Sequence, residues 1–234
     1  MKFNKGSQIF YRDLYEQLYR EGYHTGEQFA GKRLIDFLAN NYKFKESDKV
    51  LDIGCSNGLG IEYLYGVSND ITCYGFDPAE KAIEICKIRD KFYSTSRYKI
   101  GALPDIPFDD NMFDVIFCSD VIELLLPEDS ETSIQDIKRV TKDSANIFMN
   151  IALVPESGRR KNWDKIMETY DIDGLHTNLK SSDEWIQLFE DNNLKINKKD
   201  IYTEPRHKVI VDRQGQKIDI SNKESSVMFH LTKS

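Results

Sequence analysis

The apolar positions of this chain change period several times, and the changes mark its elements. Val50-Leu51-Asp52-Ile53 is a short apolar run that stops at two glycines, Gly54 and Gly58. Such a run reads as a buried parallel strand that breaks into a tight turn and opens a helix. Ile71 to Phe76 is a second run, closed by Asp77-Pro78. Tyr98 to Ile100 is a short third, Val115 to Cys118 a fourth, and Ala145 to Val154 a fifth, apolar enough to be buried on both faces. Between them the period becomes helical: Ala82, Ile83 and Cys86 stripe Ala79 to Phe92, and Ile134, Ile137 and Val140 stripe Ser130 to Lys142. Strand and helix alternate, which predicts an α/β fold, a doubly wound and mostly parallel sheet coated with helices on two sides.

The flanks depart from that alternation. Gln8 to Glu21 carries Phe10, Leu14 and Leu18 at helical spacing, with Tyr11, Tyr15 and Tyr19 displaced around the same side. A second helix, Glu27 to Asn41, turns Ala30, Leu34 and Leu38 to one face. Between the two, Gly22-Tyr23-His24-Thr25-Gly26 reads as a polar aromatic loop, a candidate lid. From Glu156 to Lys180 polar residues dominate, with Trp163, Met167 and Tyr170 at the spacing of a short helix. Ser181-Ser182-Asp183-Glu184-Trp185 is a helix-start signal whose helix presents Trp185, Leu188 and Phe189. Leu194 to Tyr202 is a sixth strand, His207 to Val211 and Lys217 to Ile220 form a hairpin around Arg213-Gln214-Gly215-Gln216, and Ser226 to Leu231 closes the sheet. The expectation is one domain over 1–234: helices and lid over 1–45, a ligand-binding core over 46–154, a substrate-side insertion over 155–180, and C-terminal strands with the hairpin over 181–234.

Composition narrows the partners. A formal charge of -7 and a pI near 5.2 argue against a nucleic-acid surface, which carries a basic footprint. The four cysteines make no Cys-x-x-Cys pair with histidines at metal spacing, so reduced buried thiols are expected and no metal. No apolar run reaches the roughly 18 residues of a membrane span, and none of signal-peptide type opens the chain, so a cytoplasmic protein is expected.

The acid before the glycines selects the ligand. In a dinucleotide site the glycine turn sets a pyrophosphate on a helix N-terminus and the acid follows some twenty residues later. Asp52 instead precedes the turn, where it would repel a phosphate and accept from a cationic amine. Asp52-Ile53-Gly54-Cys55-Ser56-Asn57-Gly58 resembles the first motif of the class I S-adenosylmethionine-dependent methyltransferases, with Ser56 where the middle glycine usually stands. Two further stretches extend the resemblance in the right order: the second strand ending in Asp77-Pro78, and Gly101 to Leu125, similar to that family's third-strand exit, Leu-Pro-Phe loop and fourth strand. Ala102 stands where many members carry an acid for the adenine amine, leaving that bond absent or supplied from Asp105. Leu124 replaces a frequent histidine.

The resemblance implies a Rossmann-like sheet with an antiparallel last strand, an N-terminal helical cap over the cofactor, and methyl transfer from S-adenosylmethionine to an O, N or C nucleophile of a small molecule, leaving S-adenosylhomocysteine. It implies cofactor contacts from Asp52, Gly54, Cys55, Ser56 and Gly58 at the methionyl end, Asp77 and Pro78 at the ribose, Ala102 and Leu103 at the adenine, Ser119 near the sulfonium, and Tyr23 from the lid. It offers two catalytic candidates, each with a plainer reading beside it. His176, before the helix leading to the sixth strand, is a general base or a loop-bonding residue. Asp120 orients a substrate proton or caps the short helix after it. Tyr15 and Tyr19 line the pocket or pack as amphipathic core, and Arg159 to Lys161 meet an acidic substrate or are a solvated charge run. Two rival functions fit the same residues: a binding module of this fold without turnover, and another transferase on the same nucleoside, such as an aminopropyl transferase.

Overall fold

The computed structural model describes residues 8–20, 31–89, 97–153, 178–206, 209–211, 217–219 and 222–234. Helices α1 (Gln8–Arg20) and α2 (Lys32–Asn41) precede β1 (Lys49–Ile53). Then come α3 (Leu59–Val67), β2 (Thr72–Asp77), α4 (Glu80–Arg89), β3 (Arg97–Ile100) and β4 (Phe113–Ser119). Two 3-10 turns, Ile122–Leu124 and Pro127–Asp129, lead to α5 (Ser130–Val140) and β5 (Thr141–Ala152). α6 (Ser182–Asp191), β6 (Leu194–Arg206), the hairpin β7 (Val209–Val211) and β8 (Lys217–Asp219), and β9 (Asn222–Lys233) complete the described elements.

Seven strands form one sheet in the order β3-β2-β1-β4-β5-β9-β6, and β7 pairs antiparallel with β8 apart from it. β1 to β5 pair parallel, whereas β9 runs antiparallel to both β5 and β6. The Rossmann-like sheet with its antiparallel last strand is as the sequence and its family resemblance imply. Parity along each strand sorts the core into two layers. Leu51, Ile53, Ile116, Ile147 and Met149 pack against Ile134 and Ile137 of α5 and Trp185 and Phe189 of α6. Val50, Val115, Phe117 and Phe148 pack against Leu34, Phe37 and Leu38 of α2 and Ile61 and Leu64 of α3. Asp52, two residues past Val50, shares the α2 side.

β6 lies at a sheet edge and carries Lys195, Lys198 and Lys199, the charged side chains that keep an edge strand from pairing with another chain. α6 opens with the expected cap: the Glu184 N–H donates to Ser181 Oγ at 3.2 Å and the Ser181 N–H to Glu184 Oε2 at 2.8 Å. β5 starts at Thr141, four residues before the apolar run that predicts it, because a bulge in its pairing with β4 lets the partly exposed residues 142–144 join the strand. Between β1 and β4 the strand order reverses direction, and there, outside the carboxyl ends, such sheets take ligands.

Candidate functional site

The turn after β1 has three left-handed positions, Gly54 (φ 70°), Ser56 (φ 51°) and Gly58 (φ 81°). Glycine is required at 54 twice over, since a Cβ there would lie 2.5 Å from Val121 Cγ2. A left-handed serine costs about 1–2 kcal/mol, and three contacts offset it. The Ser56 N–H donates to Asp77 Oδ2 at 3.0 Å, its carbonyl accepts from the Cys86 thiol at 3.1 Å, and its hydroxyl bonds the hydroxyl of Tyr19. Ser56 is thus the residue by which α1 is fastened to the turn, a use that a glycine at this position could not have. Tyr19 is buried, and burial with the nearby Asp77 pushes its hydroxyl pKa up. The Cys55 side chain turns away into the core beside Gly75 and Cys86, so this residue can offer a ligand only its backbone.

Two carboxylates face this turn. Asp77, at the end of β2, accepts from the Ser56 and Ala79 N–H groups at 3.0 and 2.9 Å. Burial nevertheless pushes its pKa up to about 6 against those two bonds. Asp52 is 5% exposed, and among the described residues nothing donates a hydrogen bond to it and no cation pairs with it. Burial, then the charge of Asp77, drives its pKa well up. Two neighbouring buried acids, with no basic residue among the described ones acting on either, are costly when ionised. The donor set that relieves them is a ligand with an ammonium for one and hydroxyls for the other.

The third-strand exit is held firmly. Leu103 is buried with Ile106 and Phe108, and a Cβ on Gly101 would lie 2.7 Å from Pro107 Cγ. Gly101 therefore admits the Pro107 ring rather than simply turning the chain. Arg139 of α5 donates to the carbonyls of Ile106 and Phe108, both at 2.9 Å, and Asp136 accepts from the Ile106 N–H at 2.6 Å. Ala102 and Pro78 are half-buried and Asp105 is exposed.

Beyond β4 the geometry is polar. Asp120 has φ 57°, and its carboxylate accepts from Ser119 Oγ at 2.9 Å and from Asn150 Nδ2 at 3.1 Å. It is not the cap of the following 3-10 turn, whose N-cap is Val121, without a side-chain cap bond. Asn150 Oδ1 in turn accepts from the Tyr202 hydroxyl at 3.0 Å, and Tyr202 also hydrogen-bonds Ser226. The Arg33 guanidinium lies 4.6 Å over the Tyr202 ring. Sequence reasoning missed Asn150, Tyr202 and Arg33, although one signal was present: Asn150 is the lone polar residue in Ile147-Phe148-Met149-Asn150-Ile151-Ala152. It also missed Glu123, fully buried, whose Oε1 takes the Ala152 N–H at 3.0 Å and ties the turn to β5. His230 stacks on Phe148 at 4.5 Å and bonds Asn146, a structural role. The four cysteines are free and buried. Tyr23, His24, Arg159, Arg160, Lys161, Trp163, Met167, Tyr170, His176 and His207 lie outside the described residues.

Sheet order, glycine turn and paired acids define the class: a Rossmann-like sheet whose first acid comes before the glycines of the turn. Residues 51–149 match the family model described as the methyltransferase domain, and this match, with the relatives and solved structures that follow, supports a class I S-adenosylmethionine-dependent methyltransferase. It is 29% identical over 129 residues to the 27-O-demethylrifamycin SV methyltransferase of Amycolatopsis mediterranei, covering 50% of this chain and 46% of that protein. It is 29% identical over 112 residues to the tRNA U34 carboxymethyltransferase of Nautilia profundicola, covering 47% and 36%. The chain thus spans about half or less of the length of these two relatives. The crystal structure of YcgJ from Bacillus subtilis superposes with a TM-score of 0.65 at 15% identity, over 87% of this chain and 99% of that one, which shows the fold. Among the described residues no helix is long and apolar enough to cross a membrane.

Proposed function

We propose that the chain transfers a methyl group from S-adenosylmethionine to a nucleophile on a small molecule. The observation that carries this reading is Asp52, a buried carboxylate at the mouth of the glycine turn with no donor among the described residues, beside the half-satisfied Asp77. When bound, S-adenosylmethionine supplies an electrophilic methyl carbon on a sulfonium. Asp52 accepts from its ammonium, the turn from Gly54 to Gly58 approaches the methionyl end, and Asp77 accepts from the ribose hydroxyls through lone pairs that its two backbone donors leave open. Ala102 and Leu103 border the adenine, and Ser119 borders the space beyond the methyl. The chain's own task is then positioning, because holding a nucleophile in line with a reactive carbon contributes most of the acceleration in such a transfer. Asp120 receives the acceptor's proton, or His176 does so from the segment between β5 and α6.

A tRNA-directed relative supports a second reading, a nucleic-acid acceptor. The charge of -7 favours the small molecule. Mass spectrometry of the purified protein after incubation with methyl-labelled S-adenosylmethionine and a panel of small alcohols, phenols and amines, against a parallel tRNA sample, separates the two. Label in a small acceptor is expected. Label in tRNA alone, or a thermal shift with NAD and none with S-adenosylhomocysteine, overturns the reading.

A further inference from the structure

Tyr202 and Asn150 belong to no sequence motif, and they come from strands that β9 separates, yet they meet at the carboxyl end of β4. The order of donors along this chain of bonds is fixed by chemistry. The Tyr202 hydroxyl donates to Asn150 Oδ1 at 3.0 Å, so the amide of Asn150 has only its Nδ2 hydrogens left for the other side. Those hydrogens go to Asp120 Oδ1 at 3.1 Å and Ser119 Oγ at 3.4 Å, and Ser119 Oγ donates on to Asp120 Oδ2 at 2.9 Å. The backbone closes the arrangement, with the Asp120 N–H donating to the Asn150 carbonyl at 3.0 Å. Asn150 is 4% exposed, so its amide has no solvent-facing alternative to this orientation. A flipped amide would place the Asn150 oxygen against the Asp120 carboxylate and its NH₂ against the Tyr202 hydroxyl. The acceptor-only Asp120 carboxylate opposes that flip, and Tyr202, 52 positions along the chain from Asn150, holds the oxygen end from across β9, where Ser226 bonds its hydroxyl and Arg33 lies on its ring.

We infer that Tyr202 and Asn150 are positioning residues that aim the Asp120 carboxylate as the proton acceptor of the transfer, and that the methyl acceptor is accordingly a protic nucleophile, a hydroxyl or an amine. The inference rests on the proposed function and deepens it. In the step itself, a lone pair on the acceptor's oxygen or nitrogen forms the bond to the methyl carbon. The carbon–sulfur bond breaks with its electron pair going to sulfur, which becomes a neutral thioether, and the acceptor's proton passes to Asp120.

Tyr202→Phe keeps the ring under Arg33 and removes only the hydroxyl. The direct readout is the side-chain amide of Asn150 in an NMR spectrum of ¹⁵N-labelled protein with S-adenosylhomocysteine present, assigned through Asn150→Asp. In Tyr202→Phe the exchange of that amide with water should rise about tenfold or more, while the fold, read by the backbone spectrum, is kept. With phenols, alcohols and primary amines as probe acceptors, kcat should fall about tenfold with KM for S-adenosylmethionine within twofold, and Tyr202→His, which can still donate, should recover part of the loss. An unchanged Asn150 amide in Tyr202→Phe overturns the positioning role. Methylation of none of the protic probes overturns the acceptor class. Failure of S-adenosylhomocysteine to bind the wild-type protein sinks the proposed function instead, and the amide measurement without ligand still decides the hydrogen-bond relay.

Discussion

The two halves of the proposed site are built on opposite plans. The cofactor half is local: Asp52, the turn from Gly54 to Gly58, and Asp77 lie within 26 consecutive positions, on two neighbouring parallel strands and one turn. The acceptor half draws on α2, β4, β5, β6 and β9, through Arg33, Ser119, Asp120, Asn150, Tyr202 and Ser226. The first leaves its carboxylates short of donors, whereas the second satisfies every link with its own side chains. A site that grips one invariant ligand leaves vacant hydrogen-bonding capacity for it. A site that must aim a reactive group holds that group from behind.

Substitutions can sharpen this contrast. The largest effect belongs to Asp120→Asn, for which we expect turnover to fall about 100-fold while S-adenosylhomocysteine affinity, read by calorimetry, stays within twofold. A loss of affinity as large as the loss of turnover would place Asp120 in the cofactor half. Gly54→Ala joins the halves, since its Cβ would strike Val121 beyond β4 from a left-handed backbone. A cost of about 2–3 kcal/mol follows from strain and overpacking together, which for a chain of this size lowers the melting temperature by about 5–10 °C; an unchanged melting temperature would contradict the packing described.

The pH dependence separates the halves differently. Asp52 and Asp77 both have folded pKa values raised by burial, so the folded state binds protons more tightly than the unfolded chain does. For Asp77 the window runs from the ordinary carboxylate range to about 6: the stability it confers is greatest below that range and declines as pH rises through the window. The ligand-free protein should therefore gain melting temperature as pH falls from 7.5 to 5.5 through the protonation of Asp77, and Asp77→Asn should gain less. Scans at both pH values check the difference, and an equal gain in both proteins would show that Asp77 is not strained by burial. The smallest effect expected is Ser181→Ala, which removes the cap of α6 far from either half and should cost about 1 kcal/mol in denaturant unfolding with no change in cofactor affinity.

What was legible in the sequence follows the same division. Alternating apolar runs fixed five parallel strands, and the acid-glycine order of Asp52 to Gly58 pointed to an amine rather than a pyrophosphate, because both signals occupy short windows. The use of Ser56 was hidden, since its partner Tyr19 lies 37 positions earlier on a helix whose aromatic stripe suits core packing equally well. Asp120 read equally as cap or catalyst because its decisive partners, Asn150 and through it Tyr202, come from other strands. Only the register of β9 between β5 and β6 brings a tyrosine at 202 within reach of an asparagine at 150.

The central claim is that Asp52 holds a cationic end of a sulfonium nucleoside. Isothermal calorimetry of S-adenosylhomocysteine with the wild-type chain and with Asp52→Asn tests it most directly. A charge-assisted bond to a buried carboxylate predicts saturable one-to-one binding weakened about 30-fold or more by the substitution. Equal affinity in the two proteins, or no heat in either, would contradict it.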